Sequence, residues 1–150
     1  MGEWLTEEQQ SSWRAWLSAS TLLNERLNRE IQAQHGITLA DYEILVWLSE
    51  SPDRRMRMSD LAERTLSSRS RLSHQIDRME GAGLVAREQC PVDRRGSFAV
   101  LTDIGWNTLV SAAPDHVDSV RSHLVSALSC DEFEALGAAC RKISDRLQDS

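Results

Sequence analysis

A mainly helical chain carrying one short β ribbon, an α+β arrangement in which helices dominate, is the fold class the sequence predicts. Three observations lead there. Apolar residues recur at helical spacing through most of the 150 positions. One interval, Leu84 to Leu101, breaks that period, with two short apolar runs on either side of a polar turn. The stretch before it, Leu66 to Gly83, has a helix with one apolar stripe, Leu72, Ile76 and Met79, while Ser70, Arg71 and His74 point roughly the other way.

The elements follow in order. A single long helix is expected from about Glu7 to Gln34, its stripe made of Trp13, Trp16, Leu17, Leu23, Leu27 and Ile31, with Gly36 ending it. Thr38 and Asp41 have the spacing of an N-terminal cap, and Leu39, Tyr42, Ile44, Leu45, Trp47 and Leu48 supply a mostly buried second helix to about Glu50. Ser51-Pro52-Asp53 breaks it. Ser59 is expected to cap a short helix through Arg64, and Leu66-Ser67 to turn into a helix beginning at Ser67 or Ser68 and closed by Gly81 and Gly83. Leu84-Val85-Ala86 and Phe98-Ala99-Val100-Leu101 are the outgoing and returning strands. The turn between them, Cys90 to Ser97, is too long for a tight hairpin and carries Arg94 and Arg95 at its tip. Thr102 caps a helix with apolar positions from Trp106 to Leu128 and a kink expected at Pro114. Ser129 and Glu132 have capping-box spacing ahead of a last helix striped by Phe133, Leu136, Cys140, Ile143 and Leu147.

Helix, turn, helix and a two-stranded wing, in that order, make a winged helix-turn-helix. The run from Asp77 to Val85, the wing residues Asp93, Arg95, Leu101 and Thr102, and the helix opening Asp-x-Gly after them resemble the MarR family of winged-helix transcription regulators over nearly the whole chain. The resemblance implies one domain, 1–150, with a DNA-binding region at 37–102 and a helical dimerisation region made of 1–36 and 103–150. In that family both termini interlock to form a homodimer, which would account for so much amphipathic helix in a short protein.

Charge distribution agrees with a nucleic-acid partner although the total does not. The formal charge is -6. Between Arg54 and Arg95, however, ten Arg meet six Asp or Glu, a balance of +4, so the remainder carries -10. All ten cations in that window are Arg, whose fork of donors suits phosphate and guanine. The residues expected near DNA are Ser68, Arg69, Ser70, Arg71, His74 and Gln75 at the start of the reading helix, with Arg71 favoured for guanine, and Arg94 and Arg95 at the wing tip. For Ser68 and Gln75 the helical directions fall nearer the core side, and surface decoration is an equal reading. The resemblance implies that Asp93 steadies a wing arginine while an arginine enters the minor groove.

The function expected is a sequence-specific DNA-binding regulator, most simply a homodimeric repressor on a palindromic operator; the alternative is a winged-helix module used only for protein contacts. Members of the resembled family often bind small aromatic or phenolic anions. Trp13, Arg14, Trp16 and Trp47, on the first two helices, would suit such a ligand, and core or dimer packing is the competing use of those indoles. No catalytic motif or phosphate loop is present, so no enzyme and no cofactor are expected. His116 and His123 share a helix face without metal-ligand company, and no metal is expected. Cys90, Cys130 and Cys140 form no CxxC pair, and no signal peptide or membrane span is evident, so a reducing cytoplasm is the expected location. Cys90 lies in the wing, where it could be exposed, whereas Cys140 falls on an apolar stripe and is expected to be buried and inert.

Overall fold

The computed structural model describes residues 2–92 and 96–150 and divides the chain into two compact units, Asn28–Asp115 and a second made of 2–27 with 116–150. Among the described residues six α-helices and three strands follow in the order α1 (Glu7–His35), α2 (Leu39–Glu50), β1 (Arg55–Arg57), α3 (Met58–Arg64), α4 (Arg69–Gly81), β2 (Val85–Gln89), β3 (Ser97–Leu101), α5 (Asp103–His123) and α6 (Cys130–Gln148). α1 and α5 run through both units.

The Asn28–Asp115 unit is the winged helix-turn-helix. Its core is one apolar cluster in which Ile44, Leu45 and Leu48 of α2, Leu61 of α3, and Leu72, Ile76 and Met79 of α4 meet Val85 and Ala99 of the sheet. The sheet has three antiparallel strands in the order β1-β3-β2, one more than the two-stranded wing read from sequence. β1 pairs with β3 through Arg55 and Val100, Met56 and Ala99, and Arg57 and Phe98. Arg55 lies over the Phe98 ring at 4.3 Å and reaches Glu88 at 3.2 Å, so side chains on the exposed face also bridge β1 to β2. The strand runs directly into α3. The residue at the helix start is therefore Arg57, in extended conformation, and Ser59 is not the cap.

Most of the local signals elsewhere hold. Gly36 takes the left-handed conformation (φ 68°) after α1. Thr38 and Asp41 form a reciprocal capping box on α2, as do Ser129 and Glu132 on α6. The hydrogen bonds between Ser129 and Glu132 hold that carboxyl below its usual range. At the end of α4 it is Gly83 (φ 80°) that turns left-handed, while Gly81 remains helical. α5 stops at His123, and a short 3-10 turn, Val125–Ala127, replaces the last turn the apolar pattern had suggested.

Thr102 joins the wing root to α5. Its hydroxyl lies 2.6 Å from the Gly83 carbonyl and 3.0 Å from that of Leu84, and accepts from the Gly105 N–H at 3.0 Å. Thr102→Ala removes both roles at once and should lower stability by about 1–2 kcal/mol. Thr102→Ser should restore most of it, and urea unfolding of the three proteins checks the ranking.

In the other unit α6 has no buried residue. Trp13, Trp16, Leu17 and Leu22 on α1, Val117 on α5, and Phe133, Ile143 and Leu147 on α6 are all substantially exposed. No helix among the described residues is long and apolar enough to cross a membrane.

Candidate nucleic-acid interface

α3 and α4 are joined by a four-residue turn whose geometry is set by Leu66. This residue is left-handed (φ 55°) and 80 % exposed, an unusual conformation for a side chain of its size. The turn closes through Ser67 N–H donating to the Ala62 carbonyl at 2.9 Å. Ser68 then caps α4, its hydroxyl accepting from Arg71 N–H at 3.1 Å. With that donor satisfied, the Arg69 and Ser70 N–H groups are left in the first turn at the positive end of the helix dipole, a favourable place for a phosphate.

α4 sorts its side chains by face. Leu72, Ile76 and Met79 are buried; Ser68, Arg69, Ser70, Arg71 and His74 are exposed. Gln75 falls on the buried side, 8 % exposed, with its amide on Asp41, and is therefore not available to a groove.

Beside the first turn of α4 lies a cleft of about 540 Å³ whose polar lining is Arg57, Ser59, Arg69, Ser70, Ser73, Arg87 and Ser97. Arg87 of β2 crosses to α4: its Nη2 donates to the Ser73 carbonyl at 2.8 Å and lies 3.0 Å from Ser73 Oγ and 2.9 Å from Asp77 Oδ1. Its backbone N–H donates to Glu80 Oε2 at 2.8 Å. Arg57, from β1, sits 5.7 Å from the Phe98 ring and 3.7 Å from the Cys90 sulfur. Neither arginine was singled out from sequence, because Arg57 belongs to a strand made only by pairing with β3. The alternation Arg55, Met56, Arg57, Met58 was the available signal.

Asp93, Arg94 and Arg95, the expected wing-tip residues, lie outside the described residues. Of the expected ligand residues, Trp13, Arg14 and Trp16 are exposed on α1, in the unit that contains α6. Trp47 belongs to the winged unit, half-buried against its core with the Arg64 guanidinium 5.3 Å from its ring. Of the cysteines, Cys90 is buried at the wing base rather than exposed, Cys140 is half-buried, and Cys130 is exposed.

Residues 35–96 match the family model described as MarR family. AbsC from Streptomyces coelicolor, a MarR family transcriptional regulator, is 49 % identical in sequence, with a TM-score of 0.94 and coverage of 99 % of this chain and 100 % of that one. The chain belongs to the MarR family of transcriptional regulators. A second MarR family regulator from the same organism, Sco3205, solved in complex with DNA, is 44 % identical over 99 % of this chain and 92 % of its own, with a TM-score of 0.96. The transcriptional regulator HosA of Escherichia coli O111:H- is 32 % identical over 107 residues, 71 % of this chain and 77 % of HosA.

Proposed function

We propose that this MarR family regulator is a homodimer that binds a palindromic operator and represses transcription. The observation that carries this reading is the sorting of α4, with apolar residues packed inward and Ser68, Arg69, Ser70, Arg71 and His74 presented together beside a cleft lined by Arg57 and Arg87. Such a face suits a major groove flanked by phosphates, and similarity to Sco3205, a relative crystallised on DNA, supports it. In this reading Arg71 reads guanine. The first-turn N–H groups and the cleft arginines hold the backbone, and Arg94 or Arg95, steadied by Asp93, enters the minor groove. Gln75 drops out of the contact set.

The exposed apolar residues of α1 and α6 support the dimer, because Leu17, Phe133, Ile143 and Leu147 would remain in water in a monomer. Two reading helices related by a two-fold axis would then meet successive major grooves about 34 Å apart. Release by a small aromatic anion belongs to the same reading. Trp13 and Trp16, one turn apart and flanking Arg14, are its seat, and Trp47, committed to the core, is left out of it.

The test is titration against DNA from the chain's own promoter region and against unrelated DNA, over a range of salt. A dimer making six or more phosphate contacts should lose about a thousandfold in affinity between about 50 and 200 mM salt. A flat salt dependence, or a monomer by sedimentation, refutes the reading. Deletion of the gene should raise transcription from the bound promoter; a fall would make the protein an activator. Loss of DNA affinity together with tryptophan quenching by salicylate-like anions tests the ligand, and quenching alone would dismiss it.

A further inference from the structure

Gln75 is the polar side chain of the buried interior among the described residues, and it occupies a position on the α4 stripe otherwise held by Leu72, Ile76 and Met79. An amide on a core face costs stability unless its hydrogen bonds are made. Here its Nε2 donates to Asp41 Oδ1 at 3.1 Å. Only the N–H side of the amide can face a carboxylate, so the orientation follows from chemistry.

The acceptor is itself held in place. Asp41 Oδ2 accepts from the Thr38 N–H at 3.1 Å, and the Asp41 N–H donates to Thr38 Oγ1 at 3.0 Å. The neighbouring N–H, of Leu39, donates to Asn28 Oδ1 on α1 at 2.9 Å. The start of α2 is thus fixed on α1, and the carboxylate projecting from that start meets α4. Apolar ridges tolerate small slides and rotations and lose uniqueness before they lose stability, whereas a charge-assisted hydrogen bond weakens steeply with distance and angle.

We infer that Asp41 and Gln75 are positioning residues that fix the axial setting of α4, and so decide which bases its exposed face meets without touching DNA themselves. This rests on the DNA-reading role proposed above. Arg87 grips the same helix from the other side through Ser73 and Asp77, but it also lines the cationic cleft, so its removal would mix positioning with contact. Gln75, inside the core, separates the two.

The experiment uses the full chain, with operator and unrelated DNA measured in parallel and thermal unfolding alongside. Q75L fills the space without the hydrogen bond. It should keep or raise the melting temperature, keep the affinity for unrelated DNA and its salt slope, and lower the ratio of operator to unrelated affinity by about tenfold, the discrimination of about one misaligned base contact. Q75E sets a carboxylate against that of Asp41 and should lower the ratio further. Adding D41N to Q75E should recover it, since the amide introduced at 41 can donate to the carboxylate introduced at 75 while its oxygen still accepts from Thr38. That pair also decides the matter should Q75L fold poorly.

A ratio within twofold of wild type in Q75L, equal losses on both DNAs, or no recovery in the double variant overturns the inference and leaves the DNA-reading role standing. Wild-type protein that discriminates no DNA overturns both.

Discussion

Gly105→Ala is expected to destabilise the winged unit by more than about 3 kcal/mol, a large share of the stability of a domain this size. A Cβ at this position would lie inside the contact distance of the Leu84 carbonyl oxygen, 2.7 Å from Leu101 Cδ1 and 3.0 Å from the Leu84 carbonyl carbon. The oxygen cannot yield cheaply, because it already accepts from the Thr102 N–H at 3.2 Å and lies 3.0 Å from the Thr102 hydroxyl. Relief would require the start of α5 to move off the root of the wing, and Leu84 and Leu101 are both buried. Gly81→Ala is the control. Its Cβ would meet nothing within 4 Å on the exposed side of α4, and alanine there should be neutral or stabilising by up to about 1 kcal/mol. Urea unfolding of both variants checks the contrast, and equal effects would mean that the start of α5 does not approach the Leu84 carbonyl this closely.

The features legible in the sequence are those whose partners are near in sequence. The Thr38–Asp41 and Ser129–Glu132 boxes, the Ser68 and Thr102 caps and the left-handed Gly36 each depend on residues three or four positions apart, so composition and spacing specify them. β1 depends instead on β3, paired from Arg55 to Val100, and three residues carry too little pattern to announce a strand whose partner lies so far along the chain. Because β1 is not legible locally, neither are the start of α3 at Met58, the place of Arg57 in the lining of the cleft, or the burial of Cys90 beside Arg57 at the wing base. Gln75 shows a different limit. Helical periodicity placed its direction near the core, but only the contact with Asp41, made through the tertiary fold, shows why a polar residue belongs there.

Arg71→Ala should lower operator affinity by about 10–100-fold, the 1–3 kcal/mol of discrimination carried by one bidentate contact to guanine, while changing affinity for unrelated DNA little. Arg71 is exposed at the start of α4, on the same helical face as His74, and its backbone is pinned by the Ser68 cap, so its side chain projects from a fixed point. Arg71→Lys is the decisive comparison. It keeps the positive charge and so should keep the salt slope, but it loses the planar fork that matches O6 and N7, and it should therefore resemble alanine in discrimination. Arg95→Ala, in the segment between β2 and β3, should behave otherwise. If it serves the minor groove, its loss weakens binding most on sites with A·T tracts beside the half-sites and reduces the salt slope by about one phosphate equivalent. Selection of bound sequences from random DNA with each variant separates these outcomes: Arg71→Ala should relax one base position in each half-site, and Arg95→Ala should relax the flanks. Relaxation of the same positions by both would place the two arginines in one contact and remove Arg71 from its role as reader.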